Sequence, residues 1–360
     1  MQFALFGNHA DGMAMAKALV ATDRHRLIAV CGVAVPDFSP DCRSEPDIEE
    51  VLANPAIDLV IVAGPLAAMG EQLRRAVQSE RHVLCVHPCA EKPDLAYEVS
   101  MIQAETKKAL LPLLPGSLHP ALSRWRELAK GFQLLTWTRC WRLAHEASPA
   151  WDLLRFAGGE IGEVCGFAAE EEWNPAEPLL IHGRFENGGL LQGSILHGSG
   201  DVADSLSARG VFGEVAMSGP DARGAATLRW RTADGKWTEE LWSEWDAWTA
   251  FVPVVETACE NLASLPRIGW PDAIHALELD DALRRSVEKR RPQSLDYREI
   301  TEEVGARGTL TLIGCGMIWL MLLVFGLSVW VPWIRWAIVP MLGGFLLLLA
   351  MQWLARRPSS

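Results

Sequence analysis

Paired cysteine motifs and an excess of basic residues are both absent from this 360-residue chain. The eight cysteines are scattered, with no Cys-x-x-Cys pair and no zinc spacing, which indicates unpaired thiols in a reducing compartment. Acidic residues outnumber basic ones by 45 to 33, and a net charge of −12 argues against nucleic acid as a partner. Because histidines and carboxylates do not cluster at short spacing, the sequence predicts no metal site.

Charge is also absent from two long stretches near the end of the chain. Residues 309–331 and 336–354 contain no charged side chain, and each is close to the ~20 residues that a helix needs to cross a bilayer. Tryptophans lie at the four-residue link and at the far end, where membrane interfaces favour them. The pattern predicts a two-helix hairpin inserted in the lipid bilayer through residues 309–354, with an apolar oligomerisation hairpin as the alternative.

The flanking charges give an expected orientation for this hairpin. Arg307, Arg356 and Arg357 lie outside the two stretches and only Arg335 lies between them, so the positive-inside bias places both ends in the cytoplasm. The chain opens with a strand-like segment and no apparent export signal. We therefore expect a two-pass membrane protein with the bulk of the chain cytoplasmic.

Strand and helix patterns alternate over the first 115 residues. The sequence predicts strands at residues 2–6, 27–31, 58–63, 82–86 and 110–114, and helices at residues 12–21, 47–53, 67–79 and 96–107. Such alternation is typical of a doubly wound parallel sheet. The nearly uninterrupted apolar run DLVIVA at residues 58–63 indicates a strand that is covered on both faces.

The pattern changes after Pro120. Helices are predicted at residues 121–130, 151–157, 248–262 and 271–289, and a long strand at residues 132–143. Several β segments between residues 164 and 245 are separated by turn pairs such as Asn187-Gly188 and Asp234-Gly235, which predicts an open antiparallel sheet. The expected domains are residues 1–118, residues 119–306, and a membrane hairpin at residues 307–360.

This layout resembles the glucose–fructose oxidoreductase/inositol dehydrogenase (Gfo/Idh/MocA) family. The strings that carry the resemblance are FALFGNHADGMAMAKAL, PAIDLVIVAGP, RHVLCVHPCA, SLHPALSRWRELAKG, DLLRFAGGE and DAIHALELDDALRRSVEKRR. It implies an N-terminal Rossmann domain for NAD or NADP and a C-terminal α/β domain. It also implies a homodimer through the open sheet, and oxidoreductase activity on a sugar or polyol derivative.

The resemblance also assigns the site. It implies catalytic roles near His87 and Asp152, with His145 as a substitute for the family's proton-transfer histidine. The cofactor-binding positions that it implies are Gly7, Asn8, His9, Gly12, Gly64, Pro65, His87 and Pro88.

Several of these positions depart from the family pattern. His9 replaces the middle glycine of the G-x-G-x-x-G turn, which lets backbone N–H groups approach a pyrophosphate. Gly32 stands where an acid holds the ribose hydroxyls, His87 where a lysine stands, and Pro149 where the proton-transfer histidine stands. We therefore expect weak cofactor binding and impaired or lost catalysis.

Three hypotheses follow from these features. The favoured one is a pseudoenzyme that keeps the fold to bind a small molecule or a partner. The alternatives are an active NAD(P)-dependent oxidoreductase and a scaffold that oligomerises through its open sheet. Cofactor titration separates the first two, and analysis of molecular size separates the third.

Overall fold

Two β-sheets organise the part of the chain that the structure, a computed structural model, describes. That part comprises residues 1–106, 108–141, 151–170, 177–197, 203–211, 213–220, 224–231, 235–260 and 268–295. All of these residues lie in one unit, Met1–Asp296. Both sheets belong to this unit.

The first sheet is parallel throughout and has the strand order β3-β2-β1-β4-β5-β6. Its strands are β1 (Gln2–Phe6), β2 (Arg26–Cys31), β3 (Arg43–Glu45), β4 (Leu59–Val62), β5 (His82–Val86) and β6 (Leu110–Leu113). The helices between them are α1 (Ala10–Val20), α2 (Ile48–Ala53), α3 (Leu66–Gln78) and α4 (Asp94–Thr106). β4 is buried along its whole length between β1 and β5, as its apolar run predicts. The predicted Rossmann-type sheet is therefore confirmed.

The second sheet is mixed, with the order β14-β13-β12-β11-β7-β10-β9-β8-β15. Its strands in the described residues are β7 (Phe132–Trp141), β8 (Ile161–Phe167), β9 (Leu179–Phe185), β10 (Leu190–His197), β11 (Ala203–Gly210), β12 (Gly213–Ser218), β13 (Ala226–Arg231), β14 (Trp237–Trp242) and β15 (Gln293–Ser294). The predicted wholly antiparallel sheet is wrong in one respect, because β10 pairs with β7 in parallel.

Helices pack on one face of the second sheet and join it to the first. They are α5 (Pro120–Leu128), which follows a 3-10 turn at Pro115–Leu118, then α6 (Trp151–Gly158), α7 (Ala247–Glu260) and α8 (Trp270–Lys289). α7 packs against α1, and α8 contacts both β8 and β6. Phe251, Trp270 and Leu277 from these last two helices join the apolar core of the first sheet. Through them the C-terminal half helps to build the environment of the parallel strands.

The fold class and localisation that included a membrane hairpin are contradicted by the described residues. Within them, no helix combines the length and the apolar character needed to span a membrane. The longest, α8, has 20 residues but alternates buried apolar residues with charged ones, as expected for a helix packed against a sheet. The two predicted spans, residues 309–331 and 336–354, lie outside the described residues. The corrected fold class is a Rossmann-type parallel sheet with a second, mixed-sheet domain.

Candidate functional site

The turn between β1 and α1 is shaped by two glycines that allow close packing. Gly7 has a φ of 90°, and a Cβ placed on it would lie 2.3 Å from the carbonyl oxygen of Ala63. A Cβ on Gly12 would lie 2.2 Å from the Cβ of Ala63. Both positions therefore exclude a larger residue, because β4 ends directly against the turn. These are the packing roles of the first and last glycines in a dinucleotide-binding turn.

His9 occupies the middle of that turn and caps α1 with its own ring. Its backbone N–H donates to the Ala63 carbonyl oxygen at 3.0 Å, and its Nδ1 accepts the backbone N–H of Asp11 at 3.2 Å. In dinucleotide-binding folds, N–H groups at this helix end face the pyrophosphate. Here the imidazole occupies one of these donors, and the carboxylate of Asp11 adds negative charge beside it. The turn thus keeps the close packing of a dinucleotide-binding turn, and one of its N–H donors is bonded to the His9 ring.

At the end of β2, where a ribose is expected, Gly32 offers no side chain. Gly32 follows Cys31 with a φ of 70°, and a Cβ there would meet open space. The carboxylates of Glu45 and Asp47 lie near this end, since they add to the effect of burial in raising the pKa of the Cys31 thiol. Asp47, however, accepts the backbone N–H of Glu49 as the cap of α2.

A cleft of about 590 Å³ opens beside this turn, at the carboxyl edge of the parallel sheet. Ligands of doubly wound sheets bind at this edge. Residues that line it from the first sheet include His9, Asp11, Leu66, His87 and Pro88, and residues from the second sheet and α8 include Arg139, Leu277, Asp280 and Arg284. The structure thus brings His9, His87 and Pro88 to the lining of one cleft.

His87 is uncharged in its environment at neutral pH. Its Nδ1 is completely shielded from solvent and has no hydrogen-bond partner, although part of the residue remains accessible. Burial, and to a smaller extent the positive charge of Arg155, lower its pKa to about 4. His87 can therefore accept or donate a hydrogen bond at pH 7, but it does not supply the positive charge of a lysine.

The opposite wall of the cleft was not predicted from the sequence. Asp280 on α8 accepts a hydrogen bond from Nε of Arg284 at 2.9 Å through its Oδ2, and the indole of Trp151 also interacts with this carboxyl. Burial raises the pKa of this carboxyl, and the charge of Arg284 opposes that effect. In the sequence, Asp280 is marked only by the arginine four residues later, and such ion pairs are common on solvent-exposed helix faces.

Asp152 lines a different cavity from His87. This second cavity, about 270 Å³, is lined by Arg126, Asp152, Arg155 and Glu160 among others. Although burial favours the neutral acid, hydrogen bonds from Arg155 and His275 and their charges lower the pKa of Glu160 to about 2. Arg155 also donates to the Oδ1 of Asp272 at 3.2 Å, so it joins α6 to α8. Asp152 thus shares its cavity with an ion-pair network that joins α6 to α8.

The remaining predicted positions lie outside the cleft or outside the described residues. Gly64 packs closely on the side chain of Gln72, and Pro65 precedes α3 without a side-chain cap. Asn8 is exposed in the turn. His145 and Pro149 are not among the described residues, within which no group of histidines, cysteines and carboxylates is placed to hold a metal.

Comparisons with known proteins agree with this geometry. Residues 4–113 match the family model GFO_IDH_MocA, described as an oxidoreductase family with an NAD-binding Rossmann fold. Comparison with curated proteins gives no match.

Solved structures of sugar and polyol dehydrogenases share the fold. A myo-inositol dehydrogenase from Corynebacterium glutamicum has a TM-score of 0.63 at 16% identity, covering 82% of this chain and 99% of its own. GenD2 from gentamicin A biosynthesis, in complex with NAD, gives 0.66 at 18%, covering 82% and 96%. Levoglucosan dehydrogenase, in complex with NADH and levoglucosan, gives 0.68 at 14%, covering 82% and 99%. Over residues 4–113 the chain thus matches the NAD-binding Rossmann domain of the Gfo/Idh/MocA oxidoreductase family.

Proposed function

We propose that this protein retains the ligand cleft of the Gfo/Idh/MocA fold while nicotinamide-dependent turnover is weak or lost. The observation that carries the proposal is the hydrogen bond from the Asp11 N–H to Nδ1 of His9. A bound pyrophosphate needs that donor and the space above it. Binding a dinucleotide would require the imidazole to leave its capping position, and the Asp11 carboxylate would still repel the phosphates.

Two further positions support the proposal, one through cofactor binding and the other through catalysis. Gly32 has no side chain with which to bond ribose hydroxyls, and hydrogen bonds of this kind contribute ~0.5–1.5 kcal/mol each, and more when charged. His87 is neutral where the family resemblance implies a lysine. Since general acid–base help typically contributes ~10²–10⁴-fold to a rate, loss of a competent group would slow hydride transfer severely.

The cleft itself has the character of a small-molecule site. Its walls combine apolar residues such as Leu66 and Leu277 with polar ones such as His87 and Asp280. Such a mixture suits a compact polyhydroxylated molecule, whose C–H faces pack on apolar side chains while its hydroxyls form hydrogen bonds. The names of the myo-inositol and levoglucosan dehydrogenases support this ligand class for the shared fold.

The second candidate function is that of an active oxidoreductase on a sugar or polyol derivative. The observation that favours it is the preserved packing of Gly7 and Gly12 against Ala63, which keeps α1 pointing at the cleft. On this reading, His87 would serve as the proton acceptor at the end of β5.

Cofactor titration and turnover distinguish the two functions. We expect the purified full chain to bind NAD⁺, NADH, NADP⁺ and NADPH with dissociation constants of about 1 mM or weaker. We also expect no turnover on a panel of sugars and polyols with either cofactor. Micromolar affinity, together with turnover that disappears in His87→Ala, would establish the active enzyme instead.

We also propose a homodimer through the open face of the second sheet. On that face β8, β9 and β10 expose Phe167, Leu180, Leu190 and Leu196, with exposures from 38% to 56%. Phe167 and Leu180 are register partners, and the edge of Phe167 contacts the ring of His182. Exposed apolar residues on adjacent strands are typical of a surface that is covered in an assembly.

A further inference from the structure

A second large cavity lies at the amino edge of the parallel sheet, opposite the cleft described above. Its volume is about 520 Å³, and no residue lines both spaces. Part of its lining comes from residues at or shortly before the starts of four parallel strands, namely His25, Asp58, Arg81, His82 and Lys108. Cys259 and Glu260, at the end of α7, add to the lining. Because all strands of this sheet are parallel, their amino ends share one edge, far from the position of a nucleotide.

Charges of opposite sign line this cavity without pairing. Burial, followed by the carboxylate of Asp58, raises the pKa of the Cys259 thiol to about 12. The carboxylate of Glu260 acts in the same direction, and the ammonium of Lys108 acts against it, so all three charges lie around one thiol. Asp58 accepts the backbone N–H of Gln2 at 2.9 Å, but within the described residues neither carboxylate forms an ion pair with Lys108. The two signs of charge therefore stand apart around a shared space.

The positive side of the cavity also offers hydrogen-bond donors. Nδ1 of His82 accepts the backbone N–H of Ala109 at 3.1 Å, so the proton of the neutral ring is on Nε2. Burial and the charge of Lys108 lower the pKa of His82, which keeps the ring neutral at pH 7. Arg81 donates from Nη2 to the Asn54 carbonyl oxygen at 3.4 Å, while its Nε has no partner in the part of the chain that the structure describes. The protein thus satisfies these donors only in part.

One further carboxylate of the cavity wall is already engaged. Arg24 donates to Glu256 from Nε at 2.9 Å and from Nη2 at 3.1 Å. His25, whose side chain is only 5% exposed, lies 2.7 Å from the same carboxylate through Nε2. Glu256 is therefore not available to a ligand, whereas Asp58 and Glu260 are.

We propose that this cavity binds a small zwitterion of the amino-acid class. Its carboxylate accepts hydrogen bonds from Lys108, His82 and Arg81, and its ammonium group donates to Asp58 and Glu260. A simple anion would meet the two carboxylates, and a simple cation would meet Lys108 and Arg81, so one molecule that carries both charges suits the site best. The inference is independent of the proposed function, because the cavity is separate from the cleft at the carboxyl edge.

Three probes of similar size separate the contributions of the two charges. L-Alanine carries both charges, propionate lacks the ammonium group, and ethylamine lacks the carboxylate. Each is titrated into the full chain at pH 7 and followed by ligand-detected NMR. We expect L-alanine to bind, and we expect each analogue with a single charge to bind about tenfold more weakly or worse.

A pair of lysine variants then locates the binding site. Lys108→Gln removes the positive charge and should weaken the binding of L-alanine about tenfold or more, without weakening that of ethylamine. Lys130→Gln is the matched control, because Lys130 is an exposed lysine just after α5 and does not line the cavity. It should change the affinity for L-alanine by less than about twofold.

NMR of ¹⁵N-labelled histidine gives an independent reading in the unmodified protein. Saturation with L-alanine should shift the Nε2 resonance of His82, because the ligand carboxylate accepts the proton on that nitrogen. If Lys108→Gln fails to fold, this response and the comparison of the three probes decide. The proposal is overturned if L-alanine does not bind, if an analogue with a single charge binds as tightly, if both lysine variants weaken binding equally, or if the His82 resonance does not respond.

Discussion

Two histidines at the same cleft behave differently because their surroundings differ. His9 is exposed and uses its ring to cap α1, so it acts as a turn residue. His87 follows a buried strand, and its shielded Nδ1 has no partner. At the residue scale, His9 at the helix end and His87 at the strand end are separate substitutions with separate physical effects.

The first prediction concerns the pH dependence of stability and His87. Its pKa is about 4 in the folded chain and near 6.5 when unfolded, so the unfolded state binds more protons between these values. Stability should therefore fall as the pH drops from 6.5 to 4, with His87 contributing about 2 kcal/mol after allowing for its partial exposure.

Urea unfolding of the parent and of His87→Asn, at several pH values from 7 to 4, measures this contribution. The variant should lose less stability than the parent over that range. Identical slopes for the parent and His87→Asn would contradict the assigned environment.

At the scale of elements, the β1–α1 turn depends on how closely β4 approaches it. Gly7 and Gly32 both have positive φ, but only Gly7 faces a backbone where its Cβ would be. A side chain at Gly32 would therefore suffer only the strain of the backbone conformation, whereas a side chain at Gly7 would also overlap β4. The turn is therefore retained for packing, whether or not a nucleotide binds.

The second prediction follows from that comparison. Gly32→Ala should destabilise the protein by about 1–2 kcal/mol, the cost of the left-handed conformation alone. Gly7→Ala should cost more than about 3 kcal/mol, because the methyl group would also overlap the Ala63 carbonyl. Chemical unfolding of both variants checks this, and equal losses would show that the turn can relax away from β4.

The elements that could be predicted are those whose signals are local. β1, β2, β4, β5 and β6 were predicted because buried parallel strands need apolar runs. β3 is three residues long, with the sequence Arg-Ser-Glu, and carries no such signal. The parallel pairing of β10 with β7 is non-local, and turn motifs specify only neighbouring hairpins.

The site was predictable on one side of the cleft only. His9 and His87 follow strand ends, and the carboxyl edge of a parallel sheet is a known location for ligands. Asp280 and Asp281 make equivalent ion pairs with arginines four residues later, so sequence alone gives no reason to choose between them. Only the packing of α8 places Asp280 in the cleft. The same tertiary packing puts Asp152 in a separate cavity.

At the scale of the whole molecule, helices pack on one face of the second sheet, and apolar side chains are exposed on the other. Gly166 of β8 packs against Leu283 and Val287 of α8, whereas Phe167 and Leu180 on the opposite face are about half exposed. An assembly through this open face would bury them, which is the basis of the proposed homodimer.

The third prediction tests that assembly. Leu180→Asp places a charge at the centre of the apolar group and should shift a dimer toward monomer, because a buried unpaired charge is costly. Arg231→Asp, on β13 away from this group, is the control and should leave the size unchanged. Sedimentation at micromolar concentration measures both, and a monomeric parent chain would remove the dimer proposal.

The measurement that tests the central claim most directly is the nucleotide affinity of His9→Gly. Removing the imidazole frees the Asp11 N–H for a charged phosphate, an interaction worth ~1.5–3 kcal/mol. The account predicts that NAD(H) or NADP(H) binds His9→Gly about tenfold or more tightly than the parent. It also predicts that Glu80→Gly, at a positive-φ turn before β5 and outside the lining of this cleft, leaves the affinity unchanged. A parent chain that already binds at micromolar concentration, with no gain in His9→Gly, would contradict the claim that His9 closes the phosphate end of the site.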